Sequence, residues 1–439
     1  MSKFLYANDT SATYPPSWYA ETSPNLKLRP SLESDLSCDV CVIGAGFTGL
    51  SSALHLAKKG FDVIVLDAHR VGFGASGRNG GQVGSGWNQG QQKLEKQLGQ
   101  DAAHRLWEMT QDAKSLTRDL VNQFAPDAGY NAGVAEACFS DKEKVNSHAM
   151  ASYLEKNYSY NEIECLNKSS LQEVVKSEAY SGGTIDWGAG HLHPLLYAMG
   201  LAKAAEAAGA VLYEASLVQE VKNGSPNLVR TSRGDVKADY VIHATNGYHT
   251  NLNRNQAAHV MPINNFIVAT EPLEYPEKIL TKNIAVADSR FVLNYYRLSD
   301  DNRLIFGGGE SYGTKFPKDI FEKVRRPLTE IFPQLADVKL THAWGGTLGI
   351  TTTRLPLFAR VGTHQLTAAG YSGHGVALAG FAGHVLAETI AGNASQFDLL
   401  SDLPHPSFPG GQTFRSPLMT LAMTWFSPVS YTHLRAHET

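Results

Sequence analysis

The chain has 439 residues, of which 43% are hydrophobic and 18% charged, and its formal net charge is −4. The length predicts two or three domains, and the composition is that of a globular protein with a large core. A slightly acidic chain offers no basic surface for nucleic acid, and no apolar run is long enough to cross a bilayer. Residues 1–25 lack the apolar core of a secretory signal. We therefore expect a cytoplasmic protein with no nucleic acid partner and no membrane span.

Residues 1–34 are polar and rich in tyrosine and proline, and we expect an arm over the surface. The first regular unit follows at Cys38–Asp67 and has the pattern of a strand, a glycine turn, a helix and a second strand. Gly44, Gly46 and Gly49 fill G-x-G-x-x-G. In that motif the glycines permit a tight turn, a close approach of pyrophosphate and contact between helix and strand. The unit predicts a site in which phosphate meets the N-terminus of a helix.

Asp67 ends the second strand of this unit, eighteen residues after Gly49. A carboxylate at that place accepts hydrogen bonds from a ribose diol and repels a 2′-phosphate, which disfavours NADP. Glycine-rich turns alone are common and also occur as simple connections between a strand and a helix. Because the strand, the helix and the acid are all in place, we favour dinucleotide binding, without a choice between NAD and FAD at this point.

The cysteines do not indicate a redox or metal site. Cys38 and Cys41 form C-x-x-C, but they lie on a predicted strand, where residues three apart face opposite sides. A redox dithiol would lie at a helix start, and zinc would need two more ligands nearby. We expect small apolar side chains in a reducing compartment, and no bound metal.

The middle of the chain alternates between helical and strand patterns. Residues 71–91 are crowded with glycine, and residues 94–180 indicate mostly helix. A helix begins at Pro194 and ends before Gly209, with His193 as its cap rather than a metal ligand beside His191. Three strands are predicted next, at Leu217–Lys222, Asn227–Thr231 and Val236–Ala244. Residues 261–310 are strand-rich, and residues 315–335 are helical.

The C-terminal part repeats the order strand, glycine turn and helix. The strand is near Gln365–Ala369, the turn is GYSGHG, and small residues at Gly375, Ala379, Gly380 and Gly383 share one face of the helix. Glycine-rich strand ends thus occur near the start, in the middle and near the end of the chain. One cofactor that touches all three must be long, which favours FAD over NAD.

These motifs together resemble the D-amino-acid-oxidase-like FAD-dependent oxidoreductases, the group of glycine and sarcosine oxidases. Within that family the chain is most similar to the branch that oxidises gamma-glutamylputrescine. The resemblance runs from about Cys38 to about Phe426. Besides the dinucleotide turn it rests on GFGASGRNGGQ at 72–82, GAGHLHP at 188–194, YYRL and DNRLIFGGG within 295–309, GYSGHG at 370–375 and LPHPSFPGG at 403–411.

The family implies a fold of class α/β and α+β, in which a glutathione-reductase-type Rossmann FAD domain is interleaved with an antiparallel-sheet substrate domain. We assign residues 35–95, 181–255 and 345–415 to the FAD-binding domain, and residues 96–180 and 256–344 to the substrate domain. The arm is 1–34 and the tail is 416–439. The last dozen residues, from Pro428, are unlike the rest, and we expect them to be an artefact rather than native sequence.

The resemblance also implies FAD and the residues that bind it. No cysteine follows Cys165, and no histidine directly follows the segment Gly-Ala-Ser-Gly-Arg, so we expect FAD to be held without a covalent bond. Pyrophosphate, ribose, adenine and flavin contacts are expected at Gly44, Gly46, Phe47, Thr48, Gly49, Asp67, Ala68, Ser76, Arg78, Asn79, Gly80, Gly81, Val218, Ala244, Gly373, His374, Gly375 and Val376.

Three side chains are candidates for the chemistry. His374 would add a proton or a charge at the pyrimidine edge of the flavin, or is a turn histidine satisfied by backbone. Arg297 would clamp a substrate carboxylate, or is structural, and Tyr295 shares its face of a strand. Trp344 and Arg354 are further candidates for substrate contacts.

The activity implied is amine oxidation. Hydride passes from the CH–N carbon of a neutral amine to flavin N5, the imine hydrolyses, and oxygen is reduced to hydrogen peroxide. The expected substrate is gamma-glutamylputrescine or a related amine that carries a carboxylate. The alternatives are a cyclic or N-methyl amino acid such as pipecolate or sarcosine, a dehydrogenase that uses a carrier instead of oxygen, and a flavin-binding protein without enzymatic activity. The segment after Gln82, VGSGWNQGQQ, departs from the family pattern near the substrate side and leaves the amine open.

Overall fold

The computed structural model describes residues 4–24, 26–248, 252–290 and 292–409. The described helices, in chain order, are α1 Trp18–Glu21, α2 Phe47–Lys58, α3 Gln91–Leu98, α4 Gln100–Phe124, α5 Asp141–Tyr158, α6 Lys168–Val174, α7 Pro194–Ala207, α8 Arg254–His259, α9 Ile320–Ile331, α10 Gly375–Ile390 and α11 Ser395–Ser401. The described strands are β1 Leu36–Ile43, β2 Val63–Leu66, β3 Gln82–Val83, β4 Asn131–Cys138, β5 Ile163–Asn167, β6 Gly182–His191, β7 Val211–Tyr213, β8 Glu220–Lys222, β9 Asn227–Arg230, β10 Asp235–His243, β11 Met261–Thr270, β12 Ala285–Asp288, β13 Tyr295–Leu298, β14 Leu304–Ser311, β15 Leu340–Ile350, β16 Leu357–Gly362 and β17 Gln365–Ala369.

The first sheet has the strand order β16-β17-β10-β1-β2-β7. Strands β17, β10, β1, β2 and β7 run parallel, while β16 pairs antiparallel with β17 and the β8–β9 hairpin extends antiparallel from β10. Its central strands are short, apolar and fully buried at their C-terminal ends, as expected where helices cover a parallel sheet. This arrangement confirms the predicted Rossmann-type domain.

Helices α2 and α10 pack closely on this sheet because small residues line their contact. A Cβ on Gly383 would lie 2.3 Å from the carbonyl oxygen of Thr48, so the two backbones approach as only glycine allows. The hydroxyl of Ser51 donates to the carbonyl of Gly380 at 2.6 Å. The predicted face of small residues is therefore a helix–helix contact between the first turns of α2 and the middle of α10.

The second sheet has the order β15-β11-β14-β13-β12-β4-β6-β3, with β5 paired to β6. All its pairs are antiparallel except β4 with β12, so the antiparallel substrate domain is confirmed with one parallel pair inside it. One face packs with α9 in a separate core cluster. Tyr295 and Trp344 on the opposite face join the core of the first domain.

Residues 94–180 are mostly helical, as predicted, but the stretch also contains β4 and β5, which were not predicted. Both strands pair with β6, which follows them in the chain, and the buried alternate positions of β4 are small residues, Gly133, Ala135 and Ala137. Strands β3 and β6 belong to the second sheet, although they fall in ranges assigned to the FAD-binding domain. The division of the chain into domains by residue range otherwise stays a prediction.

The arm is packed into the protein rather than laid over its surface. Leu5, Trp18, Tyr19 and Leu32 are all buried. The tail 416–439, including the last dozen residues, lies outside the described residues. No single helix in the described ranges is long and apolar enough to span a membrane. Helices α10 and α11 together have that length and apolar composition, but they are bent by 118° relative to each other.

Candidate active site

The turn between β1 and α2 forms the first wall of a long cleft. Gly44 has a φ of +108°, and a Cβ there would lie 2.7 Å from the carbonyl oxygen of Ala244 at the end of β10. A Cβ on Gly49 would lie 1.9 Å from the Gly44 carbonyl, so α2 closes on its strand only because residue 49 is glycine. Gly46 precedes α2, and its Cβ would meet the Ser76 hydroxyl at 2.8 Å. The N–H of Phe47 donates to that hydroxyl at 2.9 Å, and the start of α2 lines the cleft, where a phosphate group would meet the helix N-terminus.

Asp67 follows β2 and points both carboxylate oxygens at backbone donors. One oxygen accepts from the N–H of Ala45 at 2.7 Å and the other from the N–H of His69 at 2.7 Å. Burial raises the pKa of Asp67 to about 6, and the two backbone hydrogen bonds oppose that rise. Each oxygen retains acceptor capacity for a further donor, as a ribose contact requires.

The glycine-rich segment after β2 forms the second wall. Arg78 lies behind it: its Nε donates to the Phe73 carbonyl at 2.6 Å, and its NH1 donates to the Gly345 carbonyl at 3.0 Å and to the Asp9 carboxylate at 3.1 Å. The side-chain amide of Asn79 donates to the carbonyls of Ala75 and Ser76, which belong to the short 3-10 turn Ala75–Gly77. The arginine therefore joins this segment to the arm and to the second sheet.

The turn between β17 and α10 forms the third wall. Gly373 has a φ of +85°, and a Cβ there would meet nothing within 4 Å. The hydroxyl of Tyr371 hydrogen-bonds to that of Thr48 at 2.6 Å, which links this turn directly to the start of α2. Asn246, after β10, accepts from the N–H of Gly370 at 2.8 Å. The ends of three parallel strands are thereby held next to one another.

One cleft crosses all three walls and encloses about 1160 Å³ of empty space, part of it open to solvent. Of the predicted cofactor residues, those lining the cleft are Gly44, Gly46, Phe47, Thr48, Asp67, Ala68, Ser76, Asn79, Val218, Ala244, Gly373, Gly375 and Val376. The others, Gly49, Arg78, Gly80, Gly81 and His374, are not among the lining residues.

Tyr295 and Arg297 meet at Gly80, so the structure brings these predicted residues together. The Tyr295 hydroxyl donates to Asn265 Oδ1 at 2.5 Å, and its ring fills the space where a Cβ on Gly80 would be, 2.7 Å away. Arg297 donates through Nε to the Gly80 carbonyl at 3.1 Å and through NH2 to the Tyr19 hydroxyl at 3.4 Å. Because its guanidinium is buried and bound in this way, the carboxylate clamp stays a prediction.

His374 stands just before α10 with its ring against Gly84, where a Cβ would lie 2.5 Å from ring Cε1. Burial lowers its pKa, so the ring is neutral. Its Nε2 is buried and has no hydrogen-bond partner among the described residues. Behind this segment, the buried ammonium of Lys114 donates to the Ser85 hydroxyl at 2.6 Å and to the Tyr160 hydroxyl at 2.9 Å.

Several cleft residues were not predicted from the sequence. Leu5 and His69 belong to the arm and to the loop beneath it, and no motif marks them. Tyr248 and Tyr371 also line the cleft. Each is close to a glycine that follows a strand, a pattern that could have indicated a ring beside exposed backbone. Leu348 of β15 also lines the cleft, so the lining includes a residue of the second sheet.

The remaining sequence predictions concern caps, metals and thiols. His193 Nδ1 accepts from the N–H of Leu196 at 3.2 Å at the start of α7, which confirms its role as a cap. No group of three or more metal-ligating side chains occurs in the part of the chain that the structure describes. None of the cysteines lines the cleft, and Cys165 is exposed on β5.

Comparison with known proteins identifies the class. The family model described as FAD dependent oxidoreductase (DAO) matches residues 39–389. The chain is 38% identical over 414 residues to gamma-glutamylputrescine oxidoreductase of Escherichia coli (strain K12), covering 94% of this chain and 97% of that one. It is 40% identical over 412 residues to the probable oxidoreductase OrdL of Rhizobium meliloti (strain 1021), covering 94% and 96%. The crystal structure of glycine oxidase from Geobacillus kaustophilus shares the fold, with a TM-score of 0.71 at 20% identity over 84% of this chain and 100% of that one.

The fold and the cleft define an enzyme of the nucleotide-cofactor-binding oxidoreductases. More particularly, the chain belongs to the DAO family of FAD-dependent oxidoreductases. The residues present fit FAD, because the cleft is elongated and crosses three strand ends, and at Gly44 a Cβ would close the turn against Ala244. The role of each individual site residue remains a prediction.

Proposed function

We propose that this protein oxidises the carbon–nitrogen bond of a small amine that carries a carboxylate, with gamma-glutamylputrescine as the first candidate. Bound FAD would supply the redox chemistry, in which hydride leaves the CH–N carbon of the neutral amine, the imine hydrolyses to an aldehyde and the electrons pass to oxygen as hydrogen peroxide. FAD would be held without a covalent bond.

One observation carries the proposal: a single cleft runs from the dinucleotide turn to β15 of the second sheet. A long cofactor in it would extend from Asp67 to the beginning of α10, and its far end would meet the sheet that bears Tyr295. The similarity to an enzyme named for gamma-glutamylputrescine, over almost the full length of both chains, supports the choice of amine.

The protein's own groups would position the substrate and stabilise the charge on the reduced cofactor. The first N–H groups of α10 and the positive end of its dipole favour negative charge beside Gly375, where the reduced cofactor would carry it. Burial lowers the pKa of His374, so its ring, next to that helix start, would form a hydrogen bond there in the neutral form. Tyr295 and Arg297 would hold Gly80 and so the wall that the substrate approaches.

The test is anaerobic reduction of the FAD-loaded protein by a panel of amines. We expect gamma-glutamylputrescine to bleach the flavin faster than putrescine, sarcosine or pipecolate, and oxygen to restore the colour with one peroxide for each amine. Bleaching by sarcosine or pipecolate instead would reassign the substrate. Reoxidation only by an added dye or carrier would contradict the oxidase assignment, and failure of every amine would contradict amine oxidation itself.

A further inference from the structure

Two opposite charges near the second sheet are each without an ionic partner. Glu310, on β14, is half-buried; its Oε2 accepts from the Tyr312 hydroxyl at 2.7 Å, and no cation lies within ion-pair distance of it among the described residues. Arg354 is half-buried in the turn after β15, with a φ of +65°. Its backbone N–H donates to Thr351, but its guanidinium makes no hydrogen bond or ion pair with any described residue.

The strand register places Glu310 on the face toward the FAD-binding domain. Glu310 pairs with Asn265 across β14 and β11, and directly opposed residues point to the same side of a sheet. Asn265 accepts the hydrogen bond of Tyr295, whose ring covers Gly80. The carboxylate therefore belongs to the same sheet face as the tyrosine that meets the cofactor wall.

The position of Arg354 follows from β15, the strand that precedes it. Leu348 and Gly349, near the end of β15, line the cleft. The neighbouring carbonyl of Thr353 accepts a hydrogen bond from Gln89, which lies in the glycine-rich segment that departs from the family pattern. The arginine thus stands where β15 and this divergent segment meet.

The strand register brings the two charges to the same part of the second sheet: Asn265, opposite Glu310, pairs on its other side with Gly346 of β15, and that strand ends at Ile350, shortly before Arg354. Burial raises the pKa of Glu310, and the Tyr312 hydrogen bond, Arg354 and Lys323 oppose that rise. Arg354 also acts on Tyr312. Both side chains keep part of their surface exposed, so a ligand can replace water at each charge. A ligand that carries one ammonium and one carboxylate close together would supply both missing partners.

We propose that Glu310 and Arg354 bind the α-amino-acid head of the substrate, at the end remote from the amine that is oxidised. Glu310 accepts from the α-ammonium, and Arg354 donates to both oxygens of the α-carboxylate. Arg297 is less suited to this task, because its donors already hold Gly80 and Tyr19. The inference rests on the proposed function and specifies which part of the substrate decides selectivity.

The first test measures binding without turnover. The probe is gamma-glutamyl-n-butylamide, which has the amino-acid head but no terminal amine to oxidise, and calorimetry measures its affinity for the FAD-loaded protein. We expect Glu310→Gln and Arg354→Gln each to weaken binding about tenfold or more, as loss of a hydrogen bond to a charged group does. The controls are Glu220→Gln and Arg360→Gln, which remove charges from exposed ion pairs elsewhere.

The second test separates recognition of the head from support of the fold. N-acetylputrescine has the same amine and amide but no amino-acid head. We expect kcat/KM for gamma-glutamylputrescine to fall in both variants while kcat/KM for N-acetylputrescine stays within about twofold of the wild type. Equal losses on both amines would overturn the inference, because they would show damage to the site as a whole.

Failure of the inference and failure of the proposed function give different results. If the wild type oxidises gamma-glutamylputrescine and both variants bind the butylamide normally, the inference is overturned and the function stands. If the wild type oxidises no amine but binds the butylamide through these two residues, the function fails and the binding site stands.

Discussion

Asp9 in the arm and Arg78 in the glycine-rich segment form a buried ion pair, with 3.1 Å between Oδ1 and NH1 and side-chain exposures of 8% and 2%. The pair joins two parts of the chain that share no secondary structure. A second link lies beside it: His69 donates through Nε2 to the Leu5 carbonyl at 2.8 Å, and Leu5 and His69 both line the cleft. The arm therefore closes one side of the cofactor site.

We predict that Asp9→Asn loosens this closure. Removal of one partner leaves the Arg78 charge buried, at a cost on the order of 3 kcal/mol. The variant should have a lower melting temperature and release FAD faster, measured as the rise of free FAD fluorescence after dilution. Asp398→Asn, which breaks an exposed pair with Arg360, is the control and should change little. Release rates equal to that of the wild type would show that the arm does not retain the cofactor.

A second prediction concerns the dinucleotide turn. Gly46→Val should abolish FAD binding, because its Cβ would lie 2.8 Å from the Ser76 hydroxyl and the branches would occupy the cleft. Gly313→Val is the matched control, since a Cβ at that glycine meets nothing within 4 Å. Absorbance of the purified proteins gives the FAD content. A yellow, active Gly46→Val protein would place the pyrophosphate elsewhere.

A third prediction is that acid precipitation frees all the FAD. Neither the buried Cys41 and Cys138 nor the exposed Cys165 lines the cleft, so no thiol is positioned there for a flavin bond. The measurement is the division of flavin absorbance between pellet and supernatant. Colour that stays with the denatured pellet would disprove non-covalent attachment.

A fourth prediction follows from His193. Burial, with a smaller effect of Arg297, lowers the pKa of His193 to about 3, far below its value in an unfolded chain. Between those values only the unfolded state binds the proton, so protonation favours unfolding and stability falls as the pH drops below about 6.5. His193→Asn keeps an acceptor for the N-terminus of α7 and removes the titration.

The measurement is denaturant unfolding of the wild type and the variant from about pH 7 down to about pH 5. The wild type should lose stability relative to His193→Asn by at most about 1.4 kcal/mol for each pH unit below 6.5. Parallel curves for the two proteins over this range would mean that the ring is protonated in the folded state.

The elements that could be predicted are those made by neighbours in the sequence. The unit at Cys38–Asp67 and the turn before α10 hold their geometry through glycines and apolar runs within about thirty residues. The pairing of β4 with β6 could not be predicted, because the strands are separated by two helices and the buried alternate positions of β4 are the small residues Gly133, Ala135 and Ala137. Long-range pairing depends on the whole sheet rather than on local preference.

The candidate site likewise contains residues that could be predicted from the sequence and residues that could not. The residues that line the cleft through their backbone were predicted from glycine patterns, whereas those that reach it through the fold were not, as with Leu5. The sequence places Arg297 on a strand but does not show that Gly80 and Tyr19 occupy its donors. It equally does not show that the guanidinium of Arg354 forms no hydrogen bond or ion pair with the residues that the structure describes.

The central claim is that three turns distant in sequence bind one extended FAD beneath the second sheet. A crystal structure of the FAD-loaded protein tests it most directly. The account predicts pyrophosphate density in the cleft beside Gly46, Phe47 and Ser76, ribose at Asp67, and the flavin ring between Asn79 and the start of α10. Density for FAD elsewhere, or for a nicotinamide cofactor in this cleft, would contradict it.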